Sequence, residues 1–182
     1  MRIVDARLPA ADPEALTAWY VETLGVGPTF VEGEASPHHF AFHVAGLEPW
    51  KERLDVSDEH DFSSWGGARA VYFRDPEENV GELIARPAAH AELSLAEVGL
   101  PVEDVSAAVE TLEHELGLGA YRETNESFTP VGDDDGLLIV VSVGRGWFPV
   151  GVPAGSSAIE VAIAGTPRKG EAHIEHHRIV AT

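Results

Sequence analysis

The chain partly repeats itself. Residues 8–27 read LPAADPEALTAWYVETLGVG and residues 100–119 read LPVEDVSAAVETLEHELGLG, an ungapped match at an offset of 92 positions. Leu8/Leu100, Pro9/Pro101, Asp12/Asp104, Ala15/Ala107, Leu24/Leu116, Gly25/Gly117 and Gly27/Gly119 are identical. Each copy runs from a short apolar strand to an Asp, then a helix, then a Leu-Gly stop. The Asp side chain accepts from the free N–H groups of the first turn, and the Gly takes the left-handed backbone that ends a helix. Such units bury their apolar faces against each other, so the repeat predicts two alike modules around a shared core.

Charge narrows the partners. There are 31 Asp and Glu against 12 Lys and Arg, a formal net charge of -19, and only Lys51 and Lys169 are lysines. A field of that sign repels phosphate backbones, so nucleic acid is not an expected partner. An acidic, lysine-poor folded chain fits a halophilic, high-salt cytoplasm, where salt screens the self-repulsion. Cysteine is absent, which removes disulfides and thiolate chemistry. The start, Met-Arg-Ile-Val-Asp, has no signal-peptide pattern, and no stretch is long and apolar enough to span a membrane. The expected location is the cytoplasm.

Residues 2–9 alternate as a strand, and Asp12 caps a helix in which Ala15, Leu16, Trp19, Tyr20 and Leu24 share one face. Strands are expected at 29–31, 38–44, 68–74 and 80–86, with a helix over 47–54 and a loop over 55–67. Asp75-Pro76-Glu77-Glu78-Asn79 reads as a turn. Residues 87–93 read as a link between halves. A strand over 95–102, a helix over 105–116, a hairpin across Gly132-Asp133-Asp134-Asp135-Gly136 and a strand over 158–164 follow. The division is therefore 1–88, 94–165 and a polar tail 166–182. The Asp133–Asp135 run lacks the alternate spacing and distal Glu of a calcium loop. The tail histidines, His173, His176 and His177, read as part of a disordered end.

His39-Phe40-Ala41-Phe42, followed by Tyr72-Phe73-Arg74-Asp75-Pro76 and Gly81-Glu82-Leu83, resembles the vicinal oxygen chelate superfamily of glyoxalases, extradiol dioxygenases and bleomycin-resistance proteins. Phe128-Thr129-Pro130-Val131-Gly132-Asp133 and Gly146-Trp147-Phe148-Pro149 are similar to a two-half branch of it. The resemblance covers about residues 1–165. It implies an α+β fold in which paired βαβββ modules form open, curled mixed sheets over a metal or ligand site. Fold alone does not name the chemistry.

Carried over by that resemblance, His39 and Glu82 are candidate metal ligands and Asp5 stands where a first-strand histidine is expected. The repeat offset makes Glu97 the counterpart of Asp5. One nitrogen and two oxygens suit a divalent ion, with manganese, magnesium or iron(II) better matched than a thiolate-type zinc site. His43 shares a strand face with His39, but four residues separate their Cα atoms by about 13 Å. It is therefore a candidate proton carrier or wall residue. Glu160, alone in the apolar run Ala158–Ile163, is a second candidate acid or base. Arg69 is expected to pair with a carboxylate.

These residues point to a metal-dependent lyase, isomerase or dioxygenase acting on a small oxygen-rich molecule. The alternative is a metal-free protein that sequesters a drug-like or aromatic molecule against Trp65, Tyr72 and Trp147. A degenerate structural module that acts only by oligomerising is the third option, and a homodimer is the expected self-association.

Overall fold

The computed structural model describes residues 1–87 and 93–182, so most of the expected link at 87–93 lies outside the described residues. The first half comprises β1 (Arg2–Ala10), α1 (Pro13–Thr23), β2 (Thr29–Glu32), β3 (His39–His43), α2 (Glu48–Leu54), β4 (Glu59–Phe62), β5 (Ala68–Arg74) and β6 (Val80–Ala85). The second comprises β7 (Ser94–Val102), α3 (Val105–Leu116), β8 (Phe128–Asp133), β9 (Gly136–Ser142), a ribbon of β10 (Gly146–Trp147) and β11 (Val152–Pro153), then β12 (Glu160–Ala164), β13 (Gly170–Ile174) and β14 (His177–Ala181). No helix among the described residues is long and apolar enough to cross a membrane.

The repeated segments occupy equivalent places. Asp12 accepts from the Ala15 N–H at 3.0 Å, and Asp104 accepts from the Ala107 N–H at 3.0 Å. Gly25 and Gly117 both take positive φ at the helix ends. One sheet runs β4-β5-β6-β3-β7-β9-β8 and the other β13-β14-β12-β1-β2. β7 is antiparallel to β3 and parallel to β9; β1 is likewise antiparallel to β12 and parallel to β2. The order β5-β6-β3-β7-β9 thus maps onto β13-β14-β12-β1-β2. Each sheet takes strands from both halves, so neither half has a complete sheet alone.

Finer details repeat in equivalent places. A β-bulge leaves Val4 unpaired between β1 and β12, and another leaves Ala96 unpaired between β7 and β3. Glu77, in the β5–β6 turn, accepts from the N–H groups of Ala11 and Asp12. Glu175, in the β13–β14 turn, accepts from those of Glu103 and Asp104. Each carboxylate meets free donors at a helix N-terminus, where the helix dipole favours negative charge.

The segment 166–182 is therefore no tail. Ala172, Ile174, Ile179 and Ala181 are buried in alternation and seat β13 and β14 as the counterpart of β5 and β6. Their sequence is polar because the other face of these strands meets solvent. The segment 55–67 is not wholly loop either: Glu59–Phe62 pairs with Ala68–Val71 as an edge strand. Edge strands have an unpartnered side, and this one hides its regularity behind Glu59, His60 and Asp61.

The two sheets share one core. Phe40, Phe42, Leu83, Val98, Leu100 and Leu138 of the longer sheet meet Ala6, Leu8, Val161, Ile163 and Ile179 of the shorter one. Leu16 and Tyr20 of α1 and Leu112 and Leu116 of α3 complete it. β3 is buried along its whole length. Its phenylalanines face this core, so its histidines face the other side, where the site lies.

Candidate metal centre

Strand register builds the site. Ala41 of β3 is paired with Glu82 of β6 on one side and with Glu97 of β7 on the other. His39 lies two residues earlier on the same face. Two carboxylates from flanking strands can lean together over Ala41 because its side chain is a single methyl. The bulge at Ala96 adds local twist next to Glu97.

The three side chains converge. The His39 Nε2 lies 3.5 Å from a Glu82 carboxylate oxygen and 3.8 Å from one of Glu97. One donor atom from each residue falls within 4.8 Å of the others, and all three residues are buried. Donors sharing one ion at about 2.1 Å lie at most about 4.2 Å apart, so both imidazole–carboxylate spacings fit a common ion. The His39 Nδ1 is 3.1 Å from the Val80 carbonyl and donates to it. That contact leaves Nε2 facing the carboxylates, as an N–H donor when the ring is charged and as a free lone pair when it is neutral.

Neighbouring groups set the charge. Arg86 donates to one oxygen of Glu97, leaving the other towards His39; both side chains are almost fully buried. Burial pushes the Glu97 carboxyl up, but Arg86 and His39 outweigh it and hold the group below the usual carboxylate range. Glu82 goes the other way, to about 7, through burial first and the charge of Glu97 second, against the opposing pull of His39, Arg86 and a hydrogen bond from Tyr72. Burial disfavours the His39 imidazolium, yet its contacts with Glu97 and Glu82 raise it overall. Two carboxylates with pKa values driven apart beside an imidazole are a common arrangement at functional sites.

Aromatic rings hold His39 in place. Its centroid is 5.3 Å from that of Trp147 and 6.4 Å from that of Tyr72, with interplanar angles of 33° and 31°. The Trp147 indole N–H donates to the Pro37 carbonyl at 2.9 Å. Trp147 also needs Gly99: a Cβ there would fall 2.6 Å from the indole. The repeat counterpart of Gly99 is Arg7, so this vacancy belongs to one copy only. Above the site is a cavity of about 330 Å³. Phe62, Trp65 and Tyr72 of the first half and Phe128, Trp147 and Phe148 of the second wall it, with Arg145 and Glu123 as further polar lining.

The other predicted residues lie elsewhere. Asp5 is on β1 in the shorter sheet, where the Thr29 hydroxyl donates to its carboxylate. Glu97 stands with His39 and Glu82 instead. Glu160 pairs with Arg178 at 2.8 Å on that same sheet, half-exposed and outside the cavity. It does not face a core: its apolar neighbours do, and Glu160 alternates outward. His43 is on the face of His39 but is not a cavity-lining residue; its Nε2 is 3.3 Å from the Asp135 carbonyl. Arg69 pairs with Glu59 at 2.8 Å. In the shorter sheet, the positions equivalent to His39, Glu82 and Glu97 are Glu160, Val180 and Asp5 by register. The second face therefore lacks the donor set.

Sequence reasoning reached Glu97 only as a counterpart of Asp5. Which copy of the pair joins His39 depends on β7, not β1, lying beside β3, and that exchange of strands leaves no local mark. Arg86 went unnoticed because a lone arginine at a strand end looks like a surface residue.

No family model and no curated protein matches the chain. Solved structures do. Glyoxalase I from Zea mays matches 88% of this chain and 74% of its own, with a TM-score of 0.58 at 16% identity. A putative dioxygenase from Bacillus subtilis matches 100% of this chain and 85% of its own, with a TM-score of 0.64 at 12% identity. This chain has the glyoxalase fold. Within that fold, the donor set sits on the cavity face of the longer sheet.

Proposed function

We propose that the chain is a metal-dependent enzyme of the glyoxalase and dioxygenase kind, acting on a small, oxygen-rich molecule. The buried convergence of His39, Glu82 and Glu97 under an aromatic cavity carries the reading. Their one nitrogen and two oxygen donors favour a hard divalent ion, such as manganese, magnesium or iron(II). A bound divalent ion would supply Lewis-acid polarisation of substrate oxygens and stabilise negative charge developing on them.

The chain's own groups do the rest. Val80 orients the His39 imidazole, and Arg86 holds Glu97 while offsetting half of the carboxylate charge. Neutral His39, Glu82, Glu97 and Arg86 together carry one net negative charge. A divalent cation would turn the floor net positive, which suits a pair of substrate oxygens of anionic character. The aromatic walls limit water, so charges at the floor act in a low dielectric. Without an ion, burial and the charge of Glu97 push the Glu82 carboxyl up to about 7, and a bound cation would favour its ionised form.

A metal-free binding protein is the second reading, and one observation favours it. With His39 protonated, the four groups are neutral in sum and mutually paired. Elemental analysis of protein purified without metal-affinity resin, followed by manganese titration calorimetry, separates the two. The enzyme reading expects about one ion per chain, with binding lost in His39→Ala and Glu82→Gln. Absence of metal and of binding heat in the wild type would hand the site to the binding-protein reading.

A further inference from the structure

Among the described residues, Arg145 is the one arginine that lines the cavity, and its surroundings differ from those of other arginines. Arg86 is committed to Glu97, Arg69 to Glu59, and Arg122 lies 3.7 Å from Asp134. Arg145 forms no ion pair among the described residues. Its guanidinium lies over the Phe128 ring, 4.8 Å from the centroid, and its one hydrogen bond is a donation to the Gly146 carbonyl at 3.3 Å. Its backbone is pinned on both sides: the N–H bonds to Ser142 and the carbonyl accepts from Ala154. In a chain with 31 carboxylates, a half-buried guanidinium on a cavity wall with no carboxylate partner is a preorganised anion receptor. A planar fork of this kind reads a carboxylate through two parallel hydrogen bonds.

The rest of the wall specifies the body of the ligand. Six aromatic residues, three from each half, surround a space that accommodates a one- or two-ring molecule. Trp65 and Phe128 approach to 6.1 Å between centroids, and Tyr72 and Phe148 to 5.5 Å. Each pair is in contact, tilted by 42° and 77°, so the rings form continuous apolar walls that favour an aromatic ligand packed against them. Glu123 also lines the cavity, but it is exposed on the loop between α3 and β8 and can turn to solvent.

We infer that the cavity takes an aromatic carboxylate, its anionic group held by Arg145 and its ring packed against the aromatic lining. This rests on the proposed function only in placing the ligand in the cavity above His39; it does not depend on a metal. The long-range negative field of the chain opposes an anion, but at 0.15 M salt it is screened beyond about 8 Å, whereas Arg145 acts in contact.

Calorimetry at 0.15 M salt, with chelator present, tests it on three matched probes: benzoate, neutral benzamide and cationic benzylamine. The chelator prevents the benzoate carboxylate from binding an adventitious ion at the floor. Benzoate is expected to bind wild type at least about tenfold more tightly than benzamide, the size of one charge-assisted hydrogen bond. That preference should vanish in Arg145→Gln and survive in part in Arg145→Lys. It should persist in His39→Ala, where the metal reading predicts lost metal binding, so the two claims fail separately. Equal or tighter binding of benzamide or benzylamine overturns the inference, as does a preference unchanged in Arg145→Gln or no binding of any probe. If Arg145→Gln does not fold, the wild-type order of the three probes decides alone.

Discussion

Arg86→Met exposes how the site balances its charges. The Arg86 and Glu97 side chains retain only 2% and 5% of their accessible surface. Removing one partner of such a pair leaves a buried charge uncompensated and typically costs about 3–5 kcal/mol. That is a large part of the roughly 5–15 kcal/mol available to a typical domain. The deficit should also depend on pH in a defined direction. Arg86 lowers both Glu97 and Glu82, so without it both carboxyls rise. A carboxyl raised above its unfolded value binds protons more readily in the folded state. Its penalty is therefore greatest at high pH and shrinks as pH falls through the folded pKa. Urea unfolding followed by tryptophan fluorescence, at pH 8 and pH 5 with chelator, measures it. The deficit should be about 3 kcal/mol or more at pH 8 and clearly smaller at pH 5, and Arg86→Met/Glu97→Met should recover most of it. A deficit under about 1 kcal/mol, equal at both pH values, would refute the charge balance described here.

Three other outcomes follow from the geometry. Gly99→Ala places a methyl against Trp147 and 3.1 Å from the His39 carbonyl; an overpacking cost of about 1–3 kcal/mol is expected, seen as a lowered melting temperature with weakened benzoate binding by calorimetry. His38 and His177 are both held near pH 4 by burial, against an ordinary 6.5. Each folded pKa is depressed, so stability is full above about pH 6.5 and falls by about 3 kcal/mol per histidine as pH drops to 4, a slope that His177→Gln should reduce in an acid titration of the fold. Glu77→Ala and Glu175→Ala remove equivalent helix-end contacts and should each cost about 0.5–2 kcal/mol in urea unfolding, the size of a helix cap; a cost at one site and none at the other would contradict the equivalence of the halves.

The repeat made the plan of the molecule legible because its signals are local. A cap, a helix face and a Leu-Gly stop each operate within a few residues, and both copies fold as their sequence indicates. The β13–β14 hairpin was hidden because it shares little with its counterpart, β5–β6, beyond the turn glutamates Glu77 and Glu175. One pair of groups shows how far this goes. In the first half Asn79 accepts from the His38 N–H, and the His38 ring reaches the Pro9 carbonyl. In the second, His177 does both jobs, accepting from the Ile159 N–H and reaching the Pro101 carbonyl. The packing problem is the same, but different residue types solve it. The site was half legible for a related reason. His39 and Glu82 belong to parallel neighbours within one half, whereas Glu97 and Arg86 meet across the exchange of strands between halves, which no sequence window spans.

The central claim is that His39, Glu82 and Glu97 hold one divalent ion. Anomalous diffraction from crystals soaked in manganese tests it most directly. The account predicts a single strong peak within about 2.0–2.3 Å of the His39 Nε2 and of one oxygen from each glutamate, absent in His39→Ala crystals. A cavity floor without a peak at saturating manganese, with His39 still wedged between the two carboxylates, would contradict it.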